Sequence, residues 1–197
     1  MNTYEAICTR RSTRKLKAEP ISQAELDQVL QAGRVAPTGG NSQSAHFIVI
    51  ENKKILDELA ALAREEFAKM EVTAGTYKSL KNSINASKRG TYAFHYHAPT
   101  LIVVANKKDY GNNMADSACA IENMMLEANE LNLGTCWINQ LHWLDDNPRI
   151  HAYMLKLGLA EDETICASMI IGYPDTADGK PIRAPREITG NPVTFVR

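Results

Sequence analysis

From Met114 to Leu131 the chain reads as a helix with apolar residues nearly all round, at Ala118, Cys119, Ile121, Met124, Met125, Leu126 and Ala128. A surface helix carries one apolar stripe, whereas a helix that is apolar on most sides has to be covered on most sides. This stretch therefore belongs at the centre of the fold. A second stretch, Thr100–Ala105, is an uninterrupted apolar run of strand length and reads as a strand buried on both faces.

The other elements alternate around these two. Asn2, with Glu5 three residues on, predicts a first helix whose buried stripe is Tyr4, Ile7 and Cys8. Ser22 with Glu25 repeats the signal, and Leu26, Val29 and Leu30 follow at helical spacing. That helix ends before Pro37-Thr38-Gly39-Gly40-Asn41, a loop by composition. Phe47–Ile50 reads as a strand and Lys53–Met70 as a helix. Glu71–Gly90 is polar, and its reading is a helix broken at Gly75. Gly134 fits the turn after the central helix, and Cys136–Asn139 a strand. Asn147 and Pro148 open another helix, closed near Gly158. Thr164–Ile171 is a last core strand. Beyond Asp175 the tail is rich in Pro, Gly and charge, and it ends in an extended-looking Val193–Val196. Helices and strands alternate without regular βαβ spacing, which predicts an α+β sheet in one domain over residues 1–197.

Composition narrows the function. The formal net charge is −1 at pH 7, so no positive excess argues for nucleic acid or an anionic membrane. No apolar run approaches the roughly 20 residues that cross a bilayer, and the N-terminus has no hydrophobic signal core. Cys8, Cys119, Cys136 and Cys166 lack CxxC spacing and read as small core residues of a cytoplasmic protein. There is no GxGxxG after a strand, no GK[ST] after Gly40 and no GxSxG elbow. His95 and His97 could share one side of a strand, but no third ligand stands near them, so no metal site is expected. His46, His142 and His151 stand alone, and no side chain is assigned an acid–base role.

What remains is a set of ordered motifs. Arg10-Arg11-Ser12-Thr13-Arg14 places three guanidinium groups and two hydroxyls at a helix end, a composition that suits phosphate oxygens. It is followed by Ala36–Gln43, by the apolar helix running into Gly134-Thr135-Cys136-Trp137, and by Gly172-Tyr173-Pro174 with Pro181-Ile182-Arg183. In this order the chain resembles the FMN-dependent nitroreductase family over nearly its whole length. The resemblance implies an intertwined homodimer, with strand exchange at the C-terminus and flavin mononucleotide at the subunit interface. It implies that Arg10, Arg11, Ser12 and Arg14 hold the phosphate and ribityl chain, Arg14 reaching the pyrimidine edge. Pro37, Thr38 and Gly39 would come from the second subunit, with Asn41 and Gln43 as the polar positions of that loop. Trp137, Ile138, Asn139 and Gln140 would line the other side and offer backbone N–H to flavin N5. Arg183 would return to the phosphate, with Lys180 or Arg186 as possible helpers. The chain departs from the pattern at Pro181, at Thr38-Gly39-Gly40 where serines are frequent, and at Thr91 and Phe94 where larger relatives place Asn and Lys.

The implied activity is ping-pong transfer of hydride from NADH or NADPH, through N5, to a nitroaromatic, quinone or similar acceptor. The flavin carries the chemistry, so no catalytic side chain is needed. The alternatives are a reductive dehalogenase-like member of the fold, for which Glu71, Tyr77 and Lys81 are the right residue types at a spacing that does not match, a flavin-fragmenting member, and a non-catalytic flavin-binding protein. Glu71–Tyr96, with Gly75, Gly90, Tyr77, Tyr92, Phe94 and Tyr96, reads as a mobile lid that selects the acceptor; the alternative is that Tyr92, Phe94 and Tyr96 alternate into the core ahead of the strand, and for Phe94 the two readings stand level.

Overall fold

The computed structural model describes all 197 residues. Six helices and four strands follow one another as α1 (Thr3–Thr9), α2 (Gln23–Arg34), β1 (His46–Ile50), α3 (Lys53–Lys69), α4 (Lys78–Lys88), β2 (Thr100–Lys107), α5 (Asn113–Glu130), β3 (Gly134–Ile138), α6 (Pro148–Lys156) and β4 (Glu163–Gly172). The strands form one sheet in the order β1-β2-β4-β3, and every pairing is antiparallel. This is the α+β architecture expected from the alternation.

The helix ends follow the sequence signals. Asn2 accepts the Glu5 N–H, Ser22 and Glu25 form a complete capping box, and Asn147 accepts the N–H groups of Arg149 and Ile150 ahead of Pro148 at the first turn. Such caps satisfy amides that have no partner within the helix. Gly158 closes α6 at φ +109°. After α5 the left-handed residue is Asn132, at φ +61°. Gly134 instead starts β3, where an added Cβ would lie 2.7 Å from the side chains of Leu16 and Thr13. Glycine is needed there for close approach, not for turn geometry.

Alternation along β2 divides the interior in two. Leu101, Val103 and Ala105 face a core shared with α3, α4 and α6, while Ile102 and Val104 face α2 and α5. The β2–β4 register slips between Val104 and Ala105, which leaves Cys166 as the extra residue of a bulge. Glu66 ties α3 to α6. It accepts from Lys69, Asn147 and Arg149, which hold its carboxyl down at about 2.

Two expectations need correction. Tyr4, Ile7 and Cys8 do not form a buried stripe: α1 touches α5 through its narrow side at Ala6, and its large residues point outward. Cys8 and Cys119 are likewise exposed, and only Cys136 and Cys166 are core residues, although all four thiols are free. Val193–Val196, expected to pair outside its own chain, has no strand partner within it, and Val196 is 95% exposed. α5 is covered by the sheet, by α2 and by α1, and only the remainder of its surface stays open. Ile121, Met124, Met125 and Ala128 are buried on the sheet, whereas Met114 and Cys119 are open. No helix is long and apolar enough to cross a membrane.

Candidate active site

The site is built on the outer edge of β3. This strand pairs only with β4, and Ser12 and Thr13 cover its first residues: the Thr13 N–H donates to Thr135 O at 2.7 Å. Backbone groups of a strand alternate in direction with period two. Thr135 faces outward, so the next outward amide is that of Trp137. Ile138 faces inward, its carbonyl accepting from Ser168 Oγ at 2.9 Å and its side chain lying in the core.

Beside this edge lies a cavity of about 140 Å³ lined by Arg14, Tyr77, Tyr96, Trp137, Asn139 and Trp143, among others. The Arg14 guanidinium sits 5.8 Å from the centre of the Tyr96 ring and has no carboxylate partner. Tyr77 and Trp143 meet edge to face at 6.1 Å. Asn139 accepts from the Trp137 indole N–H and so fixes the ring. Cys136 lies under this floor. Burial pushes its thiol pKa up, while Arg14 and Ser12 pull the other way. Gln140 also lines this cavity and reaches toward α4, donating to Tyr92 Oη at 2.7 Å and Ser83 Oγ at 3.3 Å.

The basic run is more occupied than its composition suggests. Arg11 turns back to donate to the carbonyls of Cys8 and Arg10, closing the end of α1. Arg10 pairs with Glu122 at 3.5 Å. Arg183 donates to Asn129 and Asn132 at the C-terminal end of α5. Each guanidinium has five N–H groups, so Arg11 and Arg183 keep free donors. The Arg10–Glu122 pair joins a half-buried guanidinium to an exposed carboxylate at the long end of ion-pair distance, so it contributes little. A flavin fits this set at the ring edge, through the free outward amide of Trp137 and unpaired Arg14. At the phosphate end it would share donors already used in part. Lys180 and Arg186 are exposed and make no ion pair with another residue of the chain.

The second group of expected residues stands elsewhere. Pro37, Thr38, Gly39, Asn41 and Gln43 form a tight loop at the other end of α5, with Asn41 and Gln43 both at positive φ. Gln43 donates its N–H to Thr38 Oγ1 and its side-chain amide to Asn41. The loop is anchored by Asp116, which accepts the Gly39 N–H at 3.2 Å and the Tyr110 hydroxyl at 2.8 Å. Gly39 is closely packed: a Cβ would lie 2.2 Å from Asn112 Nδ2, so a side chain there would have to displace Asn112 and Tyr110. Gly40 sits at φ +60°, so the two glycines that depart from the serine-rich pattern have separate steric reasons. Asp116 and Asn129 are thirteen residues apart on α5, about 20 Å along the axis. Within one chain the loop and the Arg183 end of the basic cluster are therefore not brought together.

Sequence reasoning missed Asp116, Tyr110, Trp143 and the stacking of Tyr96 on Arg14. The one acid in the first turn of α5 was the available signal for Asp116. Phe94 is in the core, so it makes no contact with the site, and Thr91 lies on the surface. His95 and His97 lie in a tight turn, not on a strand, with Tyr96 and His97 both at positive φ, and no cluster of three metal-ligating side chains exists.

The sequence profile of the Nitroreductase family matches residues 7–173, a span that includes the basic run, the anchored loop and the whole edge of β3. The chain belongs to the nitroreductase family. Its fold matches that of a nitroreductase with bound FMN from Bacteroides fragilis, with 34% identity, complete coverage of both chains and a TM-score of 0.86. A nitroreductase with bound FMN from Desulfitobacterium hafniense gives 26% identity, complete coverage of both chains and a TM-score of 0.80. An NADPH-flavin oxidoreductase of Vibrio harveyi is 25% identical over 178 residues, 88% of this chain and 66% of its own. In this nitroreductase-family chain the edge of β3 and the cavity beside it are the candidate active site.

Proposed function

We propose that this chain is an FMN-dependent oxidoreductase, reduced by NADH or NADPH and reoxidised by a nitroaromatic, quinone or similar acceptor. The observation that carries the reading is the free amide edge at Trp137 set beside the unpaired Arg14, in a chain of this family. Trp137 offers an N–H to flavin N5, with Ile138, Asn139 and Gln140 continuing that wall. Arg14 supplies fixed positive charge beside the pyrimidine edge, where reduction adds negative charge. Arg10, Arg11, Ser12 and Arg183 take the phosphate and ribityl chain. When bound, FMN supplies the two-electron chemistry. The aromatic walls, Tyr77, Tyr96 and Trp143, receive a flat molecule and exclude water from one face.

The site is completed by a second copy of the chain. The loop from Pro37 to Gln43 lies at the far end of α5 from the Arg183 cluster, so it reaches a flavin only from a partner subunit. The exposed Tyr4, Ile7, Val35 and Met114 supply the apolar surface for such a homodimer, and the tail from Ile188 to Val196 supplies a strand for exchange. The purified protein is expected to be yellow, with about one FMN per chain, and dimeric by light scattering at micromolar concentration. Anaerobic addition of each nicotinamide should bleach the flavin, and an added acceptor should restore it. Colourless protein that takes up no FMN would overturn the reading. Flavin that is never reoxidised by any acceptor would leave only a binding protein.

A further inference from the structure

Between Glu71 and Asp109 the sequence contains no acidic residue, while Lys78, Lys81, Lys88, Arg89, Lys107 and Lys108 are all basic. In a chain whose net charge is −1, this asymmetry is local. The fold brings the middle of this stretch, α4 and Arg89, to the mouth of the candidate active site. A cavity of about 520 Å³ lies between α4 and the end of β3, lined by Arg14, Asn82, Arg89, Tyr92, Tyr96 and Gln140, among others. It adjoins the smaller cavity at Trp137, with which it shares Arg14, Ser79, Tyr96 and Gln140. No carboxylate lines either one.

Two further observations point to a ligand. Arg14 and Arg89 make no ion pair and no side-chain hydrogen bond, although the chain's other guanidiniums at the site are engaged. Gln140 is only 8% exposed and its Oε1 is buried without a partner, while its Nε2 is held by Tyr92 and Ser83. An unpartnered buried acceptor is costly unless something donates to it.

We infer that Arg89, which lines this cavity together with Arg14, binds an anionic group of the molecule that stacks at the flavin. This inference rests on the flavoprotein reading above and deepens it: the preferred ligand is a flat molecule carrying a carboxylate or phosphate, with an O–H or N–H donor for Gln140. Arginine suits either anion because its fork donates two parallel hydrogen bonds. The absence of acids keeps the field positive along the whole entrance. The same chemistry has two sources, the acceptor itself or the phosphates of the nicotinamide dinucleotide, because both visit one face in turn.

The test uses FMN-loaded protein and Arg89→Gln, with Arg89→Lys as the conservative variant and Lys88→Gln as a charge control. Lys88 pairs with Glu71 outside the cavity. Calorimetric titration of the oxidised protein compares 4-nitrobenzoate with neutral 4-nitrobenzamide. Steady-state kinetics compares NADH and NADPH with 1-benzyl-1,4-dihydronicotinamide, which has no phosphate. If the acceptor is the source, the preference for nitrobenzoate over nitrobenzamide falls about tenfold in Arg89→Gln, the loss expected of one charge-assisted hydrogen bond. It recovers in part in Arg89→Lys. If the dinucleotide is the source, KM for NADH or NADPH rises by a similar factor relative to the benzyl compound. Unchanged ratios in both arms overturn the inference, and so does an equal loss in Lys88→Gln, which would mean a diffuse field without a contact. Failure of the flavoprotein reading shows itself separately and earlier, as protein that holds no FMN in its absorption spectrum.

Discussion

On the α3, α4 and α6 face of the sheet, 22 buried residues close into one core, and Leu59, Ala63, Phe67 and Ile84 are sealed from solvent within a single chain. On the α2 and α5 face, the core has 13 buried residues, and the helices that cover it present Val35, Met114 and Cys119 to the outside, with α1 adding Tyr4 and Ile7. The first face is finished by the chain itself. The second has its inner layer complete and its outer layer open. The difference indicates where stability is intrinsic and where it depends on association, and the proposed flavin site lies on the boundary between the two.

Phe67→Ala tests the finished face and has the largest expected effect. Removing this buried ring should lower unfolding free energy by about 3–5 kcal/mol in urea denaturation. The loss should not depend on protein concentration. A loss that vanished at high concentration would mean that this face, too, is completed by association.

His95 tests the same face through pH. It is 2% exposed and packs edge to face on Phe94 at 5.5 Å. Burial, with His97 nearby, lowers its pKa to about 4, against 6.5 for a free imidazole; Asp57 opposes the shift and Lys53 adds to it. Between these values the unfolded chain takes a proton and the native chain does not. Stability from this group is therefore full above pH 6.5 and falls as pH drops toward 4, by at most roughly 3 kcal/mol. His95→Phe should flatten that part of the stability–pH curve. An unchanged slope would assign the acid sensitivity to other groups.

Val35→Glu probes the open face. The expected loss is about 1.5–3 kcal/mol per protomer of apolar burial, seen only as a weaker dimer. Light scattering across a dilution series measures it, and monomer unfolding should be unaffected. Unchanged dimerisation would move the interface away from the C-terminal end of α2.

The smallest effect is expected at the entrance. Tyr77 lines the cavity and contacts Trp143, whereas Lys81 lies outside it. Replacing both by Ala should reorder acceptors by a few-fold in kcat/KM and leave FMN affinity intact. Loss of FMN with an unchanged order would make α4 part of the cofactor site.

Much of this molecule was legible in the residues. Caps at Asn2, Ser22 and Asn147, the two-sided strand at Thr100 and the α+β plan follow from hydrogen-bonding chemistry and hydrophobic period, which are local. The basic run from Arg10 to Arg14 and the strand through Trp137 were also legible as chemistry and as an element, because both keep their character wherever they are placed; their contact with a flavin belongs to the proposal. The rest depended on what lies opposite. Tyr4 and Ile7 have the spacing of a buried stripe, but spacing does not say whether this chain or another covers it. Arg11 and Arg183 have the chemistry of phosphate ligands, yet helix ends were near enough to take part of their donors. Asp116 holds the loop at Gly39 from 77 positions away in sequence. Such pairings are fixed by the folded distance between groups, which the order of residues along the chain does not contain. The sequence by itself determined the elements and the kind of chemistry; the tertiary structure decided which guanidiniums stay free, which glycine has no room for a side chain, and which face of α5 is left uncovered.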